Sequence, residues 1–187
     1  MKMTSNKIIF GLALLAGFTL VLAQPAYKRA TRPPPARVSM LNANIGVSEQ
    51  IMPEQLAELR ERGFTMIIDL RPDGEAIGQA PSAAVAKEAR DNNLWFAYVP
   101  VPHGEIPETA IAGLNKALGD GRGKVLLYCR SGRRAARTWG LVEASRPGGL
   151  DGRAILSAIR ASGQSADDLA DKIAQRIARR SLIAEAR

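Results

Sequence analysis

An α/β fold with a mainly parallel central sheet and helices on both faces is what this sequence predicts, and two observations carry the prediction. Apolar runs of strand length alternate with helical patterns of about ten residues, and crossovers of that size join parallel strands. Polar and charged residues gather just after the carboxyl ends of those runs, where sheets of this kind bind their ligands. With 187 residues and 46% hydrophobic content, one core is expected and whole-chain disorder is excluded.

The first two dozen residues stand apart. Lys2 and Lys7 precede a mostly apolar stretch from Ile8 to Ala23, and Val21–Leu22–Ala23 offers compact residues where a signal peptidase reads. A basic start, an apolar middle and a small-residue end are the layout of a secretory signal. The stretch is somewhat short of the roughly 20 residues of a spanning helix. Residues 1–23 are read as an export signal. Cleaved, it gives a periplasmic or otherwise exported protein; retained, it is a membrane anchor. Residues 24–37 follow as a linker, since Pro25, Pro33, Pro34 and Pro35 with Lys28, Arg29 and Arg32 favour an extended chain.

The folded core is read over residues 38–162. Pro53 to Arg62 is a helix with proline near its first position, Leu56 and Leu59 at helical spacing, and Gly63 as its stop. Phe64 to Leu70 is a buried strand, closed by Arg71–Pro72–Asp73–Gly74. A second helix, Ser82 to Asp91, opens on a serine cap. Trp95 to Val99 is the second strand, Pro107 to Leu118 the third helix, Val125 to Tyr128 the third strand, and Arg134 to Ser145 the next helix. After Arg146–Pro147–Gly148–Gly149 come Gly152 to Ser162 and, in an amphipathic extension over 163–187, Ser165 to Arg180. Ser165 and Asp168 have capping-box spacing, Leu169, Ile173 and Ile177 share one face, and Arg176, Arg179 and Arg180 complement the helix dipole in the last turns.

The chemistry centres on Lys124 to Trp139. An apolar run ends at Cys129, the only cysteine, and Arg130–Ser131–Gly132–Arg133–Arg134 leads into a helix. A thiol there sits among backbone N–H groups at the positive end of a helix dipole, and both favour a thiolate. The same loop is a cradle for a tetrahedral anion. Exported proteins usually spend cysteines in pairs, so a solitary one beside four arginines reads as a nucleophile. Three strand ends converge on it: Arg71 and Asp73, then His103 and Glu105, then the cysteine loop. The net charge of +8 is spread and lacks aromatic-basic interleaving, so nucleic acid is excluded as a partner and a small anionic substrate is expected. A single histidine supports no typical zinc site, and no metal or other cofactor is expected.

Gly46–Val47–Ser48–Glu49–Gln50–Ile51, Ile67–Ile68–Asp69–Leu70–Arg71–Pro72–Asp73–Gly74–Glu75 and Tyr128–Cys129–Arg130–Ser131–Gly132–Arg133–Arg134 together resemble the beta-lactamase-hydrolase-like, phosphatase-like family. The resemblance covers roughly Val38 to Ser162 and implies a tyrosine-phosphatase-like fold of the compact dual-specificity kind. It implies a phosphocysteine mechanism in which Cys129 is the nucleophile and Arg134 the anion-binding residue, with Arg130, Ser131, Gly132, Arg133, Arg71 and His103 around the substrate. Tyrosine phosphatases place five residues between Cys and Arg. Here there are four, and Ala135 stands where that pattern expects arginine. The shorter spacing is similar to rhodanese-type sulfurtransferases, so a Cys129 persulfide is the rival chemistry and a non-catalytic anion-binding module the third. Dual-specificity phosphatases take their general acid, an Asp, from a loop that here reads Pro100–Val101–Pro102–His103–Gly104–Glu105. That loop has no Asp; Glu105 is the first substitute, with His103 and Asp73 as the others.

Overall fold

The structure, a computed structural model, describes residues 34–121 and 123–185. Residues 1–33, read from the sequence as an export signal and most of a linker, fall outside them. The chain runs through β1 (Val38–Met40), β2 (Ile45–Ser48), a 3-10 turn into α1 (Leu56–Glu61), β3 (Phe64–Asp69), α2 (Ser82–Asp91), β4 (Trp95–Tyr98), α3 (Glu108–Asp120), β5 (Lys124–Tyr128), α4 (Arg133–Ser145), α5 (Gly152–Ala161), a second 3-10 turn and α6 (Ala170–Glu185). Among the described residues, no helix is long and apolar enough to cross a membrane.

The strands form one sheet in the order β1-β2-β5-β3-β4. Only β1 is antiparallel to its neighbour; every other pairing is parallel, as the long crossovers require. Alternation along the strands splits the core in two. Val47, Met66, Ile68, Val125 and Leu127 face one way, onto α3, α4, α5 and α6. Phe64, Ile67, Leu126 and Tyr128 face the other, with Leu56 and Leu59 of α1 and Val85 and Ala89 of α2. Strands buried on both faces read as continuous apolar runs, which is why β3 and β5 are plain in the sequence. β1 and β2 are not. They are three and four residues long, and Gly46 interrupts the apolar pattern.

Several boundaries differ from the sequence reading for local reasons. The fold begins ahead of Val38: Ala36 is buried and its carbonyl accepts from Arg62 Nη1 at 2.8 Å. Ser82 is not capped by its own hydroxyl. Asp73 takes its N–H at 2.7 Å and its Oγ–H at 2.6 Å from across the β3–α2 connection. Ser165 and Asp168 form no capping box, because Asp168 is taken by Arg137 of α4, with Nη···Oδ distances of 2.5 and 2.6 Å. Ile173 of α6 is fully buried, so the C-terminal helix belongs to the core. Its arginines serve other helices: Arg180 donates to the carbonyls of Glu143 and Leu150 at 2.8 and 2.9 Å, and Arg176 to Ser145 Oγ at 2.8 Å.

Candidate active site

Strand β5 lies between β2 and β3, so the residue that follows it is fixed from both sides. That residue is Cys129, 1% exposed, its N–H directed at the Ser48 carbonyl at 3.5 Å. The chain then turns within three residues into α4. Gly132 makes the turn with φ +84, and a Cβ there would sit 3.2 Å from Gln164 Nε2 and 3.4 Å from the Ser48 carbonyl oxygen. An L side chain would meet both the strain and the crowding. Gln50 N–H and Gln164 Nε2 donate to the carbonyls of Arg130 and Ser131 at 3.4 and 3.1 Å and so hold the loop from two sides. Helix α4 is buried along most of its length, from Ala135 to Ala144. Gly140 lets it approach α5, since a Cβ there would fall 2.8 Å from Ile159. The loop therefore joins the central strand to the most deeply packed helix.

Arg134, in the first turn of α4, reaches back over the loop. Its Nη1 and Nη2 each donate to one oxygen of Glu75 at 2.7 Å, and Nη1 also donates to the Val101 carbonyl at 2.7 Å. Burial works against the charge on Arg134, but Glu75 and the neighbouring Cys129 outweigh it and raise its pKa. A guanidinium has five N–H donors. Three are spent on Glu75 and Val101, which leaves two for Cys129 and for a ligand beside it. Cys129, Arg134 and Gly132 are thus assembled as one unit, while Arg130, Ser131 and Arg133 are exposed around it.

Glu75 was not singled out from the sequence, although it lies within the Ile67–Glu75 stretch and four residues after Arg71. In the structure it is the hub. Arg71 Nε donates to its Oε2 at 2.8 Å, and His103 Nε2 lies 3.1 Å from its Oε1. The Arg134 contact, with help from Arg71 and His103 and against burial, holds its carboxyl down at about 2. It is a permanent anion at pH 7. The signal that could have found it is a carboxylate spaced to pair with an arginine at a strand end otherwise rich in cations.

The other candidates are placed as follows. Arg71 is 5% exposed and spends its Nη1 on Gln50 Oε1 at 2.9 Å, so it braces Glu75 and does not face substrate. Asp73 caps α2. The segment after β4 is pinned at buried Val101 and Ile106, with residues 102–105 exposed between them. From that tip His103 turns inward to Glu75. Glu105 does not: its side chain is 85% exposed and pairs with Lys172 of α6 at 3.2 Å. Behind the loop, burial pushes Asp69 up to about 6, against the pull of the Arg71 N–H on its Oδ1. Among the described residues, no group of three His, Cys, Asp or Glu could hold a metal ion.

This chain matches the phosphatase-like domain of beta-lactamase hydrolase-like proteins over residues 37–146. It is 32% identical over 129 residues to a beta-lactamase hydrolase-like protein of Xylella fastidiosa, a span of 69% of this chain and 29% of the relative. The chain thus spans under a third of the length of the curated relatives it matches. Among solved structures, a candidate phosphatase from Neisseria meningitidis is similar at a TM-score of 0.64, with 23% identity and coverage of 73% of this chain and 95% of that one. Kinase associated phosphatase, with its catalytic-site cysteine replaced by serine, is similar at 0.60, with 12% identity and coverage of 78% and 97%. These likenesses establish a tyrosine-phosphatase-like fold.

Proposed function

Because the chain belongs to the family of beta-lactamase hydrolase-like phosphatase-like domains, we propose that it is a cysteine-dependent phosphatase that cleaves small phosphate esters. The observation that carries this is the placement of Arg134 beside Cys129, its guanidinium end fixed by Glu75 and Val101 and the charge on it supported by the Cys129 sulfur. A preset planar donor next to a nucleophile stabilises the equatorial oxygens of a phosphoryl group in flight. The Cys129 sulfur attacks phosphorus, the ester P–O bond breaks, and water then hydrolyses the phosphocysteine. Full-length protein offered p-nitrophenyl phosphate should release nitrophenolate, and Cys129→Ser should abolish the release. Turnover by the serine variant at the wild-type rate would remove Cys129 from the reaction.

One observation favours a second reading. The loop is a residue shorter than in tyrosine phosphatases, and Ala135, where their arginine would stand, is fully buried. A shorter loop suits a persulfide at least as well, so a sulfurtransferase carrying a Cys129 persulfide is the rival. Thiosulfate with cyanide is its assay; thiocyanate formation without ester hydrolysis would establish it over the first. We also place the reaction outside the cytoplasm, on the strength of Lys2, Lys7 and the apolar run to Ala23.

A further inference from the structure

Cleaving a phosphate ester leaves an alkoxide or phenolate that a positioned acid must protonate, at a gain of about 10²–10⁴-fold. Two of the acids the sequence offers are occupied: Asp73 by both the N–H and the hydroxyl of Ser82, and Glu105 by Lys172. Glu75 is held ionised by Arg134 and has no proton to give. His103 remains. Its Nε2 lies 3.1 Å from Glu75 Oε1, the same oxygen that accepts from Arg134 Nη1 at 2.7 Å. One carboxylate oxygen therefore ties the imidazole to the anion-binding guanidinium. The imidazole is otherwise open, with 68% of the side chain exposed.

Resting on the phosphatase reading, we propose that His103 is the catalytic proton donor and that Glu75 positions it together with Arg134. Glu75 takes the Nε2 side of the ring, which leaves Nδ1–H as the donor for the leaving oxygen. A carboxylate behind an imidazole fixes the orientation of the ring. In the first step a sulfur lone pair forms the S–P bond, the P–O pair leaves with the ester oxygen, and that oxygen takes the Nδ1 proton. The neutral ring keeps its Nε2–H toward Glu75. In the second step water attacks phosphorus and gives a proton to Nδ1, the P–S bond breaks, and phosphate and the Cys129 thiolate are released. No oxidant or metal enters the balance.

The test compares phenyl phosphate, a poor leaving group, with 2,4-dinitrophenyl phosphate, which scarcely needs a proton. His103→Gln should lower kcat on phenyl phosphate by about 10²-fold and on the dinitrophenyl ester by no more than about threefold, with KM unchanged. Imidazole added to His103→Gly should restore part of the phenyl phosphate turnover, which a structural role would not allow. Glu75→Gln should repeat the leaving-group dependence and also raise KM for both esters, because Arg134 loses its anchor. Since His103 is exposed, its variants carry the test even if Glu75→Gln does not fold. Equal losses on both esters in His103→Gln, or a selective loss in Glu105→Gln instead, would overturn the assignment while the phosphatase reading stands. Wild-type protein that hydrolyses neither ester would remove the reading itself, and this inference with it.

Discussion

Arg134→Lys exposes how much the loop depends on a planar donor. The native guanidinium directs two N–H groups at Glu75 and one at the Val101 carbonyl, and has two left for Cys129 and the substrate. An ammonium has the charge but only three donors on one centre, and it cannot hold a carboxylate in parallel while presenting a second edge to an anion. Losing one preorganised donor to a transition state costs about 2.7–4 kcal/mol, or 10²–10³-fold in kcat. Glu75 keeps Arg71 and His103, so the loss of stability should be smaller, about 1–3 kcal/mol for a charged group deprived of one partner. At this chain length 1 kcal/mol lowers Tm by about 2–4 °C. Steady-state kcat/KM on p-nitrophenyl phosphate, measured well below the melting transition of each protein, separates the two effects. A lysine variant that keeps kcat/KM within about threefold of wild type would refute the argument, since the bidentate geometry would then contribute less than a tenth of the expected factor.

Other outcomes follow from the same geometry. Gly132→Ala should lose about 1–2 kcal/mol from backbone strain at φ +84, and lose activity out of proportion because the loop must shift away from Gln164 and Ser48; equal stability and activity would mean that the loop tolerates the side chain. Glu75 and Asp168 both have folded carboxyls depressed to about 2 from ordinary values of 4.5 and 3.8, so the stability they add is full above those values and is lost as pH falls toward 2. Glu75→Gln should flatten that acid limb in denaturant titrations, and an unchanged limb would disprove the linkage. A fusion of residues 1–24 to a periplasm-dependent reporter should be active, and a reporter retained in the cytoplasm would remove the case for export.

The sheet's buried centre was legible in the sequence because β3 and β5 are unbroken apolar runs, and Cys129 to Arg134 could be placed because the run, the turn and the helix start are contiguous. What escaped were relations between distant residues. Nothing local to Asp73 says that it will cap a helix nine residues on, and nothing local to Asp168 says that Arg137 will claim it. Glu105 and His103 are two residues apart on one exposed tip, and sequence favoured the carboxylate. The choice between them is made by α6, whose Lys172 draws Glu105 outward, and by Glu75, which faces His103. Each depends on packing between elements far apart in the chain.

The segment between buried Val101 and Ile106 has a consequence for redesign. Its fixed ends serve the nucleophile: the Val101 carbonyl holds Arg134, and both side chains are sealed in the core. Of the four exposed residues between them, His103 meets Glu75 and Glu105 pairs with Lys172 of α6. They form a cassette that can be rewritten while β5, the cysteine loop and α4 stay as they are. Grafting tips of equal length should therefore retune which leaving groups the protein accepts and leave the capture of the anion itself untouched.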